Sequence, residues 1–242
     1  MRKVFTNTPI SGPFLLSPDD TRHVMTVLRH RVGDTLAVTD STGQTFSCRI
    51  TASDGRQATL EPIELLEARQ ERQGEVILAA GLLKNDKFEW VVQKAAELGV
   101  SRVVPVQMAH CVVKLNDARR KDRCARWQKI AAEAAKQCGR NDIPQIGDVV
   151  SFEGLVRDYG DKPFLIPYER ETRPLRDVCA SVQTGDVVIC IGPEGGFAPE
   201  EIALAGARLA ACATVSLGPR ILRAETAALA ALSIIMYERG FT

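Results

Sequence analysis

The chain has 242 residues, 45% of them hydrophobic and 25% charged, and its 31 basic against 30 acidic residues leave a formal charge of +1. This is ordinary globular composition, enough for one large domain or for a small and a large one. The even charge balance excludes a uniformly basic nucleic-acid binder and confines any such surface to a local patch.

Seven cysteines without a C-x-x-C pair and three scattered histidines predict neither a disulfide framework nor a metal site. No apolar signal region opens the sequence. The longest apolar run, near residues 227–236, is too short for a bilayer of about 30 Å. The expectation is a cytoplasmic protein without a membrane partner.

Residues 1–70 predict a small β-barrel with one short helix. Ser17 caps that helix, Pro18 occupies its first turn, and Asp19 and Asp20 face its dipole. The helix is expected to turn Val24, Val27 and Leu28 inward and to end near Gly33. Period-two alternation follows through Leu36 and Val38, then Phe46, Cys48 and Ile50, then Ala58 and Leu60, with turns at Gly43 and Asp54-Gly55. Val4-Phe5 and Phe14-Leu15-Leu16 complete the barrel. The charged stretch Glu61 to Glu75 lacks alternation and is expected to connect two domains.

From residue 71 to 242 strands and helices alternate. Strands are predicted at Val76–Ala80, Arg102–Val106, Phe164–Ile166, Val187–Ile191 and Thr214–Leu217. Helices are predicted from an Asp86/Glu89 capping box to Leu98, then over Lys121–Cys138, Leu175–Val182, Glu200–Leu209 and Ala224–Glu238. Short apolar strands between helices imply a parallel α/β sheet covered on both faces. Trp90 and Trp127, at helical positions, are expected in the core.

Two glycine-bearing loops leave predicted strands: Gly192-Pro193-Glu194-Gly195-Gly196 and Leu217-Gly218-Pro219. Ligands of parallel sheets sit beyond the carboxyl ends of strands, so both loops are candidates for one backbone-lined pocket. Neither G-x-G-x-x-G nor G-x-x-x-x-G-K-[ST] is present, which disfavours a dinucleotide or a triphosphate. A plain turn into a helix remains open for either loop alone.

The last helix is apolar all round, which fits a core helix or one that also packs in a subunit interface. Arg223 and Glu225 stand just before it, as a structural ion pair or as pocket groups. Arg119, Arg123, Arg126 and Lys129 recur at helical spacing and form a positive face. Lys84 and Lys87 on a strand-to-helix loop, with Lys114, Arg22 and Arg29, add basic groups elsewhere. His23 and His30 lie seven apart around one helix, and no hydrolytic triad is supported.

Five motifs can be read together: Lys94-Ala95-Ala96-Glu97-Leu98-Gly99-Val100; Trp127-Gln128-Lys129-Ile130; Ala134-Ala135-Lys136-Gln137-Cys138-Gly139-Arg140; Gly192 to Phe197; and Leu217 to Ala227, which contains Arg220-Ile221-Leu222-Arg223-Ala224-Glu225-Thr226. In this order they resemble the RsmE family of bacterial 16S ribosomal RNA uridine N3-methyltransferases. His23, Val27-Leu28-Arg29 and Gly33 resemble its N-terminal signature. Two positions depart: His110 stands where arginine is expected, and Ala198 where a capping serine is common.

The resemblance implies a SPOUT-type α/β domain with a C-terminal trefoil knot and a PUA-like N-terminal barrel. It implies a homodimer acting on 16S rRNA of the 30S subunit with S-adenosylmethionine as methyl donor. The cofactor pocket would be lined by Leu165, Pro167, Gly192, Pro193, Glu194, Gly195, Gly196, Leu217, Gly218, Ile221 and Leu222. Arg223 would face the uracil oxygens, with Glu225 or Glu194 as orienting group or base. RNA contacts would come from Arg22, His23, Arg29, Lys84, Lys94, Lys114, Arg123, Arg126, Gln137 and Arg140. No metal is implied.

Overall fold

The structure, a computed structural model, describes residues 4–68 and 73–240. It separates into two compact units. The first comprises Met1–Glu71 with Ala135–Asp142, so the end of one long helix groups with the N-terminal residues and not with the domain expected from residue 71 onward.

In the first unit five strands run in the order β1-β3-β4-β5-β2. They are β1 (Val4–Phe5), β2 (Phe14–Leu15), β3 (Thr35–Thr39), β4 (Thr45–Ser53) and β5 (Ala58–Glu67). β1 joins β3 in parallel and the other pairs are antiparallel. Val4, Leu16, Val24, Val38, Cys48, Ile50 and Leu60 fill the core.

Helix α1 (Pro18–Arg22) starts where expected, because Ser17 Oγ accepts from the Asp20 amide at 3.1 Å. It then widens into a π-turn at His23–Val27, with Leu28 N bonding His23 O at 3.0 Å. The extra residue in that turn rotates Val27 out to 61% exposure, so only Val24 of the predicted trio is buried. The helix stops well before Gly33, and Arg29 adopts a left-handed φ of 60°.

The predicted connector is a second correction. Glu61–Glu67 continues β5, with Arg49 opposite Glu61 and Cys48 opposite Pro62. Both faces of this stretch are largely open, which erases the alternation a half-buried strand shows. A register shift between Ser47 and Cys48 accommodates Pro62, which has no amide to donate.

The second unit holds an all-parallel sheet in the order β12-β10-β11-β6-β7-β8, with β9 pairing farther along β7. Its strands are β6 (Val76–Gly81), β7 (Arg102–Gln107), β8 (Gln145–Ile146), β9 (Val150–Ser151), β10 (Pro163–Pro167), β11 (Val187–Ile191) and β12 (Ala211–Val215). β6 and β11 are buried along their whole length, as expected at the centre of a sheet covered on both faces.

The helices are α2 (Lys87–Glu97), α3 (Asp117–Cys138), α4 (Phe152–Tyr159), α5 (Arg176–Cys179), α6 (Pro199–Arg208) and α7 (Ala224–Glu238). Among the described residues no helix is long and apolar enough to cross a membrane.

Four sequence readings change here. The Asp86/Glu89 capping box does not form; Glu89 instead accepts from Arg123 at 3.2 Å and Arg126 at 2.7 Å. Trp127 is buried beside Phe88, with centroids 4.4 Å apart, but Trp90 is 43% exposed. The strand predicted at Thr214–Leu217 begins earlier, at Ala211, because small residues carry its first half. Helix α7 buries one face, through Ala224, Ala228, Ala231, Leu232, Ile235 and Met236, against α2, β6 and β11. Its other side leaves Ile234 and Tyr237 exposed.

Asp40 shows how the small unit spends a buried charge. Its carboxylate accepts from the amides of Ile10 (3.1 Å), Thr42 (2.8 Å) and Gln44 (3.1 Å) and from the Thr42 hydroxyl (2.6 Å). Burial pushes its pKa up, but these donors outweigh it and the net shift is downward. A depressed carboxyl stabilises the fold above its unfolded-state pKa and loses that contribution as pH falls through the folded one. Asp40→Ala is expected to cost about 2–4 kcal/mol in urea unfolding at neutral pH. The gap to wild type should close in strong acid.

Candidate functional site

The sheet order dictates where a ligand can sit. β10, β11 and β12 are parallel and clustered, so the loops leaving their carboxyl ends converge. Residues 167–174, 191–197 and 216–224 enclose a cleft of about 990 Å³.

Each loop is fixed by hydrogen bonds to its neighbours. Tyr168 N donates to Val215 O at 3.0 Å, and Ser216 N to Arg173 O at 2.7 Å. Glu171 Oε2 accepts from the Thr214 hydroxyl at 2.6 Å, and its Oε1 from the amides of Thr172 and Arg173. The Thr214 hydroxyl, then those amides, hold the Glu171 carboxyl below its ordinary range.

The central loop is the most constrained. Gly196 closes a turn onto Pro193 O at 2.9 Å with φ +70°, and Gly218 in the neighbouring loop has φ +116°. A side chain would strain either position. Glu194 Oε1 accepts from Lys84 N at 3.1 Å, which ties the loop to the exit of β6.

Ala198 has no capping side chain; Glu201 Oε2 accepts its amide at 2.9 Å instead. Glu201 Oε1 accepts from Ala109 N at 2.9 Å, so one buried carboxylate joins the β11 and β7 exit loops. His110 Nδ1 lies 3.0 Å from Gly195 O. Its ring therefore braces the loop from outside.

Of the residues singled out from sequence, Pro167, Gly192, Pro193, Glu194, Gly195, Gly196, Leu217, Gly218, Ile221, Leu222 and Arg223 line this cleft. Leu165 does not: it is a core residue in the middle of β10. Glu225 is not on the wall either. It lies behind it, 3.0 Å from the Nζ of Lys87, which is. Sequence reading missed Tyr168, Glu169, Glu171, Thr172 and Ser216 on the wall, and it had Lys87 only as a basic group of a strand-to-helix loop and Phe197 only as the end of the glycine motif. The one available signal was their place just after β10, β11 or β12, or at the start of α2.

The basic candidates fall in both units. In the first, Arg22 and Arg29 are exposed and His23 half-buried. Arg140 pairs with Asp142 at 2.8 Å, and Gln137 is exposed. In the second, Lys84 and Lys114 are exposed, Lys94 pairs with Glu97 at 2.7 Å, and Arg123 and Arg126 share Glu89. These last two are presented at the surface but already neutralised in part.

Residues 69–236 match the family described as an RNA methyltransferase domain, and residues 16–63 match an RNA methyltransferase PUA domain. The ribosomal RNA small subunit methyltransferase E of Bacillus subtilis is 34% identical over 232 residues, spanning 93% of this chain and 90% of that protein. The chain belongs to the ribosomal RNA small subunit methyltransferase E family.

The same-named enzyme of Mycobacterium tuberculosis is 30% identical over 222 residues, 90% of this chain and 83% of that protein. The Neisseria gonorrhoeae member, solved with bound S-adenosyl methionine, superposes with a TM-score of 0.87 at 28% identity, covering 100% of both chains. A Legionella pneumophila chain in complex with the same cofactor gives 0.87 at 33% identity, covering 98% of this chain and 97% of that one. The fold is thus that of a methyltransferase with a PUA domain.

Glu201 carries the join between two exit loops, and Glu200 beside it is exposed. Glu201→Ala leaves two amides without an acceptor and is expected to cost about 2–4 kcal/mol. Glu200→Ala should stay within about 0.5 kcal/mol. Urea unfolding of the two variants checks the contrast.

Proposed function

We propose that this protein transfers a methyl group from S-adenosylmethionine to N3 of one uridine in 16S rRNA of the assembled 30S subunit, as a cytoplasmic homodimer. The observation that carries the reading is the composition of the cleft. Its walls are backbone from two glycine loops with the aliphatic Ile191, Leu217, Ile221 and Leu222 and the carboxylates Glu169, Glu171 and Glu194. Amides and aliphatic walls suit adenine, and the carboxylates suit a ligand bearing ammonium and sulfonium charge, while Lys87, Arg220 and Arg223 share the same wall. Ile221, an apolar side chain at the lip, is 86% exposed.

Gly192 to Gly196, Pro167, Leu217, Gly218, Ile221 and Leu222 would hold the cofactor, which supplies an already activated methyl carbon. No metal is needed for that transfer. The protein has two remaining tasks: to place uracil N3 in line with the methyl group, and to stabilise the ring as its proton leaves.

Arg223 stands on the wall just before α7, which supports a role for it as the cation at the uracil oxygens. Burial works to raise the pKa of Glu225, but its own backbone amide, Lys87 and Arg223 draw it down further. A carboxylate so stabilised is a poor proton acceptor, which favours an orienting role for Glu225. Glu194, exposed at the loop tip, also serves as a tether through Lys84.

The trefoil knot is supported by the convergence of 191–197 and 216–224 on one cleft before α7 packs back on α2, β6 and β11. The homodimer is supported by the apolar side of α7 that this chain leaves open. RNA binding is supported by the exposed Arg22 and Arg29 of the first unit and Lys84 and Lys114 of the second.

Tritium transfer from the labelled donor onto undermethylated 30S subunits, with mapping of the modified base, tests the reaction. Arg223→Ala should lower the rate about 10²–10³-fold, as expected for loss of a preorganised charge in a transition state. A variant that methylates at the wild-type rate would remove Arg223 from the mechanism. Ile234→Asp, on the open face of α7, should convert the dimer to a monomer in sedimentation. A dimer that survives the substitution places the interface elsewhere.

A further inference from the structure

Lys87 lines the cleft and Glu225 does not. Lys87 is the first residue of α2, and its side chain is 35% exposed. Glu225, in the first turn of α7, keeps 14% exposure and holds that ammonium at 3.0 Å. The second oxygen of Glu225 is buried without a hydrogen-bond partner. Leaving a carboxylate oxygen unsatisfied is costly, and a partly exposed Lys–Glu pair returns little stability. The pair is therefore poorly explained as a device for stability alone.

Arg223 acts on the same carboxylate and also lines the cleft. Two cations are gathered around one anion, and both reach the wall. The other charged groups lining the cleft are Glu169, Glu171, Glu194 and Arg220, while Lys84 and Asp86 precede Lys87 on its own loop.

We infer that Lys87 is a catalytic cation that stabilises the charge developing on a uracil carbonyl oxygen as N3 loses its proton, with Glu225 as the residue that positions it. The inference rests on the uridine N3 reading above. In the step itself, the N3–H bond breaks and the proton passes to water. The freed electron pair forms the bond to the methyl carbon. The carbon–sulfur bond breaks and its pair stays on sulfur as a neutral thioether. Ring charge peaks after the proton has left and before the new bond is complete, and it resides largely on the two oxygens flanking N3. A fixed cation beside one of them lowers the proton affinity of N3. Tethering by Glu225 keeps that cation in place without reorganisation at the moment of reaction.

Lys87→Met and Lys87→Arg distinguish this from a structural pair. Initial rates are measured on undermethylated 30S subunits from neutral to alkaline pH, with S-adenosylmethionine affinity by calorimetry as the check on folding. Lys87→Met is expected to lower kcat about 10–100-fold. The rising limb of its pH–rate profile should move up by about one pH unit, with donor affinity held. Lys87→Arg should return the limb toward the wild-type position. Glu225→Gln, which untethers the ammonium without removing it, should lower kcat less and leave the limb in place.

A Lys87→Met profile that keeps the wild-type limb overturns the inference. So does a loss confined to donor affinity, which would put Lys87 on the carboxylate of the donor. If the wild-type enzyme methylates a different atom, the uridine N3 reading and this inference fail together; failure of the variants alone leaves that reading standing.

Discussion

The parallel pairing of β11 with β6 is the constraint on which the site depends. Val187 through Ile191 run beside Val76 through Ala80 in continuous register, and both strands are sealed on both faces. Their carboxyl ends therefore emerge side by side. The chain leaving β11 must cross directly over the end of β6, and Gly81 permits it: a Cβ there would lie 2.6 Å from Pro193 N. With that crossing fixed, Glu194 reaches the Lys84 amide and the glycine turn faces the loops from β10 and β12. Backbone amides at such a turn cost nothing to reorganise, and that suits a site whose main work is placement.

The loop leaving β11 is also held by side chains. Two carboxylates and one imidazole hold it: its own Glu194 reaches the Lys84 amide beyond β6, Glu201 bonds the Ala198 and Ala109 amides, and His110 lies against Gly195. Ala198 cannot cap α6 with its own side chain, so Glu201 supplies that acceptor and spends its other oxygen on the β7 exit loop. His110 similarly retains a brace at a position where the family pattern suggests arginine. The two departures thus fall at one junction, between the β7 exit loop and the β11 loop.

Much of this was legible in the sequence where burial was complete. β6, β7 and β11 follow from short apolar runs, because a strand buried on both faces has no competing pattern, whereas α2 and α7 were found as helices with their exposed sides unread. Legibility failed where the pattern was shared or short. β8 and β9 have two residues each and offer no period. β5 is exposed on both faces beyond Glu61, so a strand looked like a linker. At the site, the glycines were readable because their backbone role is written in their identity. Glu169, Glu171 and Ser216 were not: ordinary polar residues become pocket walls only through the order in which strands pair.

The charges at the foot of α7 show the same limit more sharply. Arg223 and Glu225 are two positions apart in sequence, which suggested that they act together at the pocket mouth. Helical geometry separates them: Arg223 precedes the helix with extended backbone and reaches the wall, while Glu225 in the first turn is directed to α2. The helix N-terminus favours an anion there, and Lys87 supplies the counter-charge. Because the Glu225 pKa is depressed, the carboxylate stabilises the fold above its unfolded-state pKa and loses that contribution as pH falls through the folded one. At the neutral pH where ribosomal RNA is modified it is ionised, so the cleft keeps both cations on its wall and the anion behind them. Glu225 thus acts on the cleft only through Lys87 and Arg223, the two wall cations it sits behind.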